Sequence, residues 1–345
     1  MSEKRTEISQ LGEFGLIDRI SKTVVIKNAS TIKGIGDDAA VVDMGEKYLL
    51  VSTDQLIEGI HFDLSYMPVK HLGYKSVIVS VSDIAAMNGI PRQVTVNIAI
   101  SNRFSVEAID AFYEGVHAAC KNYKVDLVGG DTTASPSGLF ISITILGVVD
   151  KEKIAYRSGA GDQDIICVTG DLGAAYMGLQ ILEREKQVFL TNPEMQPKLE
   201  GYDYIVQRQL KPEARTDIIY EIQDTGLVPT SMIDISDGLA SDLMHICKQS
   251  GIGARIFEEK IPVDQLTYET AVKFKIDPVT CALNGGEDYE LLFTIKQEDL
   301  KKVDMHPDIH LIGYMDKKEK KPVMVTKQEQ IINLKAQGWD HFKDK

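Results

Sequence analysis

The stretch PVKHLGYKSVIVSVSDIAAMNG, residues 68–89, decides how this chain is read. Pro68 lies near its start, where proline suits the entry of a helix, and Asn88-Gly89 closes it with residues that tolerate a left-handed stop. The apolar spacing between them predicts a long buried helix. Asp83 then falls inside an otherwise apolar run. A carboxylate buried there without a partner is costly, so a cation or a nearby Arg or Lys must face it.

Outward from that helix, strands and helices alternate. GEFGLIDRISK (12–22) reads as a short amphipathic helix, and AAVVDMGEKYLLVSTD (39–54) as two strands around a Gly turn. RQVTVNIAIS (92–101) alternates like a strand, and SVEAIDAFYEGVHAACKNY (105–123) is helical by period, with Ser105 as N-cap and Glu107 close behind. VDLVGGDTT (125–133) and LFISITILGVVD (139–150) are strands. The polar, Gly-rich KEKIAYRSGAGDQD (151–164) separates a first unit, 1–150, from a second, 151–345. The second repeats strand, turn and helix in IICVTGDLGAAYMGLQIL (165–182) and SMIDISDGLASDLMHICKQSG (231–251), then adds strands YELLFTI (289–295) and IHLIGYM (309–315). Residues 187–213 are polar with three prolines and read as an irregular or helical excursion, and KAQGWDHF (335–342) as a tail. The fold class is α/β (α+β) in two domains.

The 345 residues carry 38 Lys plus Arg against 51 Asp plus Glu, a net charge of −13, which excludes an electrostatic footprint for nucleic acid or an anionic membrane. Cys120, Cys167, Cys247 and Cys281 lie outside metal-ligand spacing of one another and read as buried reduced thiols. The start has no apolar signal core and no run reaches transmembrane length, so a cytoplasmic location is expected.

Aspartates recur in GIGDDAA (34–40), VSTD (51–54), VSVSD (79–83), VGGD (128–131) and IDISDG (233–238), and the sequence places them at strand ends or at turns into helices. Gathered together, such carboxylates repel unless cations hold them, and hard oxygen ligands suit Mg²⁺. Neighbours in an extended segment point opposite ways, so Asp38 is the expected ligand and Asp37 lies outside or caps a turn. Ser52, Thr53 and Asp54 offer hydroxyl, carbonyl and carboxylate oxygens. Gly129-Gly130 would let a phosphate approach the backbone before Asp131. Asp237 suits an N-cap, whereas Asp234 is harder to explain by capping. No GxxxxGK[ST] loop is present, and GAGDQD (159–164) departs from GxGxxG at Asp164. Nucleotide binding would therefore run through metals on carboxylates.

Taken in order, GEFGLI, GIGDDAA, STD, SVSDIAAM, GGDTT, RSGA, IDISDGLASDL, LNGGEDYELLF and GWDHF resemble the bacterial thiamine-monophosphate kinases across essentially the whole chain. The wider superfamily includes aminoimidazole ribonucleotide synthetase and selenophosphate synthetase. The resemblance implies a two-domain architecture, with homodimers built through the N-terminal domain, which also carries ATP and Mg²⁺, and a C-terminal domain that completes the site. It implies ATP-dependent conversion of thiamine monophosphate to thiamine diphosphate, the last step of that biosynthesis, by direct in-line transfer with no general base or nucleophilic side chain. Several Mg²⁺ ions would be held by Asp38, Ser52, Thr53, Asp54, Asp83, Asp131, Asp234 and Asp237. ATP would meet Tyr113, Gly130, Asp131, Arg157 and Ser236, and thiamine monophosphate would meet His61, Glu287 and Trp339. The selenium enzymes carry a reactive N-terminal Cys or Sec, and this chain has no Cys before Cys120, which argues against that reaction. The alternatives are another ATP-dependent synthetase of the superfamily, or a non-catalytic nucleotide or metal sensor.

Overall fold

The structure is a computed structural model describing residues 7–336. Trp339, and with it the expected substrate contact of the tail, lies outside the described residues.

The first sheet contains β1 (Thr31–Lys33), β2 (Ala40–Asp43), β3 (Lys47–Ile57), β4 (Ile90–Ile100), β5 (Asp126–Ala134) and β6 (Leu139–Asp150), in the order β1-β2-β3-β6-β4-β5. Along β6 buried and half-buried residues alternate over its whole length, so Leu139, Ile141, Ile143 and Ile145 form one wall of the core. Helix α1 (Gly12–Ser21) buries none of its residues. Helices α2 (Val69–Ala85) and α3 (Val106–Tyr123) cover the inner face of the sheet, and Ser105 caps α3 by accepting from the Ala108 N–H.

Helix α2 is rich in Val, Ile and Ser, which favour strands or turns, yet it is helical because it is enclosed on nearly all sides. Two glycines let it cross α3 closely. A Cβ at Gly73 would lie 2.0 Å from the Phe112 carbonyl oxygen, and one at Gly115 would lie 1.9 Å from that of Lys70.

The second sheet contains β7 (Ile165–Thr169), β8 (Ser231–Ile235), β9 (Gly253–Phe257), β10 (Glu290–Ile295), β11 (Ile309–Asp316), β12 (Val323–Val325) and β13 (Ile331–Asn333), in the order β13-β12-β9-β11-β7-β10-β8. Its helices are α4 (Ala174–Thr191), α5 (Asp203–Leu210), α6 (Thr216–Asp224), α7 (Leu239–Ser250), α8 (Gln265–Lys273) and α9 (Pro278–Asn284). Short elements such as β9, β12, β13, α6, α8 and α9 are added to those expected from sequence, because their patterns are too brief to show a period. Leu182, Leu210 and Ala214 pack into the core of the first sheet, so the two halves share apolar surface.

Two aspartates lie differently from expectation. β3 continues to Ile57 and β5 to Ala134, so Asp54 and Asp131 stand inside strands and not at their ends. Asp83 sits in the last turn of α2.

Candidate active site

Helix α2 lies between the sheets and brings their acidic residues together. Its Ser80 hydroxyl donates to Asp54 Oδ2 on β3 at 2.5 Å, and its Asp83 Oδ2 accepts from Ser52 on the same strand at 2.5 Å. Ser82, on the other side of the helix, donates to Asp234 Oδ2 on β8 at 2.7 Å. The alternating serines of VSVSD thus sort by helical angle, one toward each sheet. Carboxylate oxygens of Asp38, Asp83 and Asp234 lie within 4.8 Å of one another.

The carboxyls strain against that proximity. Burial first, then the charges of Asp54, Asp234 and Asp38, push Asp83 well above the usual range. Burial and the charge of Asp38 raise Asp234 to about 7, and burial raises Asp54. One internal cation offsets part of this. Burial opposes its charge, yet Asp38 holds Arg157 above its ordinary value. Arg157 grips Asp38 with two bonds, Nη2 to Oδ1 at 2.7 Å and Nε to Oδ2 at 3.1 Å. Its backbone N–H donates to Asp37 Oδ1 at 3.1 Å, and Asp37 is not one of the three gathered carboxylates, although residues 35–39 form a bend and not the extended segment that the alternation argument assumed. Arg157, expected as a phosphate contact, is here the counter-charge of Asp38.

Further residues surround the cluster. Asp242 on α7 is 2% exposed, accepts from the Asp237 N–H at 3.3 Å, and is pushed well above the usual range by burial and then by Asp237. The GLASDL segment contained it, but only the fold turns it toward the turn at Ser236-Asp237. The loop before β10 lies over that turn. Gly286, Glu287 and Tyr289 have φ of 70°, 58° and 53°, left-handed backbone that Glu and Tyr rarely adopt. Glu287 N–H donates to the Ser236 carbonyl at 2.7 Å and Tyr289 N–H to that of Ile235 at 2.9 Å. Glu287 is thereby pinned beside the end of Asp234's strand, where Ser236 is exposed.

Several expected site residues stand apart. The pleat puts Asp54 in register with Ile143, Val96 and Gly130 across the sheet. Thr53 and Asp131 fall one position out of that row, on the opposite, exposed face. Thr53 Oγ1 donates to the Ile143 carbonyl at 2.9 Å, and Asp131 Oδ1 accepts from Thr132 N–H at 2.9 Å. Their side chains therefore do not join the Asp38–Asp83–Asp234 group, against the expectation of one shared cluster. Gly130 is required sterically, since a Cβ there would meet the Val96 carbonyl oxygen at 1.8 Å. Tyr113 packs its ring against Phe112 and His117 on α3. His61 turns Nδ1 back to accept from the Ile57 N–H at 3.0 Å, closing the turn after β3.

The donors nearest Asp83 are all oxygens, with raised carboxyls and hydroxyls already oriented, which fits Mg²⁺ and not a thiolate-seeking metal.

A family described as AIR synthase related protein, N-terminal domain, matches residues 36–149. Thiamine-monophosphate kinase of Buchnera aphidicola subsp. Schizaphis graminum is 36% identical over 340 residues, covering 96% of this chain and 99% of that protein. The Bacillus subtilis thiamine-monophosphate kinase is 33% identical over 341 residues, covering 96% and 100%. The solved structure "AaThiL complexed with AMPPCP and TMP" is similar with a TM-score of 0.82 at 32% identity, covering 99% of this chain and 100% of that one. With this mixed α/β fold and sequence likeness along nearly its full length, the chain belongs to the thiamine-monophosphate kinase family.

Proposed function

We infer from this membership that the chain phosphorylates thiamine monophosphate to thiamine diphosphate with ATP as donor. The observation that carries the chemistry is the approach of Asp38, Asp83 and Asp234, from three distant segments, to within 4.8 Å. Without cations that arrangement opposes folding, so its purpose lies in binding.

Asp38, Ser52, Asp54, Asp83, Asp234 and Asp237 would hold Mg²⁺, with Thr53 and Asp131 offering oxygens on the opposite face of the first sheet. Mg²⁺ supplies neutralisation of phosphate charge and alignment of two anions. Ser52, Ser80 and Ser82 fix the carboxylates of Asp83, Asp54 and Asp234 by donating to one oxygen of each. Gly130, Asp131, Arg157, Ser236 and Tyr113 are the proposed nucleotide contacts. His61, Glu287 and Trp339 are the proposed contacts of thiamine monophosphate. The acceptor oxygen is already anionic near pH 7, because a phosphate monoester loses its second proton near pH ~6. No side chain has to remove a proton, and transfer runs in line, directly between the two substrates.

Residues 1–150 form the proposed nucleotide, metal and dimerisation domain, and 151–345 complete the site. The homodimer is supported by β5, an edge strand exposed along nearly all its length with Val128 57% exposed. A cytoplasmic setting is supported by the cysteines, all four buried and free. Among the described residues no helix is long and apolar enough to cross a membrane.

The test is product analysis of purified protein with ATP, thiamine monophosphate and Mg²⁺. Thiamine diphosphate and ADP should accumulate one for one. ADP formed without thiamine diphosphate would remove the assignment.

A further inference from the structure

Lys75 is a fully buried charged side chain that the phosphoryl-transfer scheme leaves unused. It sits on α2, eight residues and so ~12 Å before Asp83, and is 1% exposed. Its ammonium donates to the Gln209 carbonyl at 3.0 Å and pairs with Glu287 Oε1 at 2.9 Å. The Gln209 side-chain amide donates to the other oxygen, Glu287 Oε2, at 2.7 Å. Both oxygens of Glu287 are thus held from behind, on a residue whose backbone is left-handed at φ 58°. Tyr289 lies beside this trio. Its hydroxyl is 3.5 Å from Glu287 Oε1, and burial, then Glu287, Asp234, Asp54 and Asp83, push its phenol well above the ordinary range.

A buried lysine is expensive unless paired, and an ordinary core would place an apolar residue here. We propose that Lys75 is a positioning residue for acceptor recognition, fixing the Glu287 carboxylate and cancelling its charge so that the acceptor meets an oriented, neutralised partner. The proposal rests on the reading that Glu287 contacts thiamine monophosphate. An acceptor that carries both a cationic ring and a dianionic phosphate would be repelled at its phosphate end by a bare, freely turning carboxylate. Lys75 offsets that repulsion and, with Gln209, holds the carboxylate in one orientation, so that the acceptor meets the 32% of the Glu287 side chain that stays exposed.

The test uses the full chain in four variants: Lys75→Met, Lys75→Arg, Glu287→Gln, and Lys75→Met with Glu287→Gln. Lys75→Met should raise the KM for thiamine monophosphate ~10-fold or more, with the KM for ATP and kcat within ~3-fold. Lys75→Arg should recover part of that loss. Glu287→Gln should also raise the acceptor KM, and should lower the melting midpoint by stranding a buried ammonium. The double variant should regain that midpoint yet show an acceptor KM no worse than Glu287→Gln alone, because Lys75 acts through Glu287. A wild-type acceptor KM in Lys75→Met, alongside a raised one in Glu287→Gln, would overturn the positioning role alone. An equal rise in both KM values would assign Lys75 to general stability and overturn it too. A wild-type acceptor KM in Glu287→Gln would overturn the underlying acceptor-site reading and the proposal with it.

Discussion

Asp234→Asn should make the metal-free protein more stable and the Mg²⁺-loaded protein less so. Asp234 is 3% exposed on β8, and burial and Asp38 raise its carboxyl from 3.8 to about 7. Because the folded value is the higher one, the folded state keeps a proton that the unfolded chain has lost. Stability therefore falls as pH climbs from about 4 to about 7, and the full penalty is present above that window. At pH 8 the gap corresponds to about 4 kcal/mol, at about 1.4 kcal/mol per pH unit. Asparagine removes the charge and still accepts from Ser82. In EDTA at pH 8 its melting midpoint should lie ~5–10 °C above wild type, and the two should converge near pH 4. Mg²⁺ reverses the order, since saturation a hundredfold over Kd adds ~2.7 kcal/mol to the wild type and little to a variant lacking a ligand. Turnover should fall ~10²-fold. The assay is differential scanning fluorimetry across pH with and without Mg²⁺. An Asn variant that melts below wild type in EDTA at pH 8, or gains as much from Mg²⁺, would refute the electrostatic account of the cluster.

Asp54→Asn and Asp131→Asn should each lower turnover at least ~10²-fold at saturating Mg²⁺ with the circular dichroism spectrum unchanged, about 2.7 kcal/mol of transition-state stabilisation; wild-type turnover in both would remove their metal role. Rapid quench with γ-labelled ATP and no acceptor should leave no label on the protein, and a stoichiometric labelled enzyme competent to pass on its phosphate would replace direct transfer. Thiamine monophosphate should quench Trp339 emission more than ATP does, and Trp339→Ala should raise mainly the acceptor KM; no quenching together with an unchanged KM would reduce Trp339 to a packing residue of the tail. Gly115→Ala should cost ~1–3 kcal/mol in denaturant unfolding, because its Cβ would lie 1.9 Å from the Lys70 carbonyl oxygen, and an unchanged midpoint would mean that α2 and α3 separate freely.

Much of the fold was legible because its signals are local. Period marked α3 and β6, Ser105 marked a helix start, and Gly45 marked the turn between β2 and β3. The extent of α2 was readable from its length and its apolar spacing, despite a strand-like composition. Asp83 could be singled out as a carboxylate that apolar surroundings do not tolerate alone, Asp38 by alternation and Asp234 as an aspartate that capping does not explain, and the order of the motifs along the chain pointed to the family.

Which of those carboxylates meet was decided in three dimensions. Strand alternation sends Thr53 and Asp131 to one face of the first sheet and Asp54 to the other, and that sorting depends on a register that VSTD and VGGD do not contain. The pairing of Arg157 with Asp38, the arrival of Asp242 at Asp237, and the burial of Lys75 behind Glu287 join residues 119, 5 and 212 positions apart. Residues 119 and 212 positions apart leave no period to read, and even the Asp237–Asp242 contact depends on how the turn enters α7; folding of the whole chain brings each to its partner. Chemistry at a single residue is written in the chain, whereas the balance of charge among residues exists only once the backbone has placed them within a few ångströms.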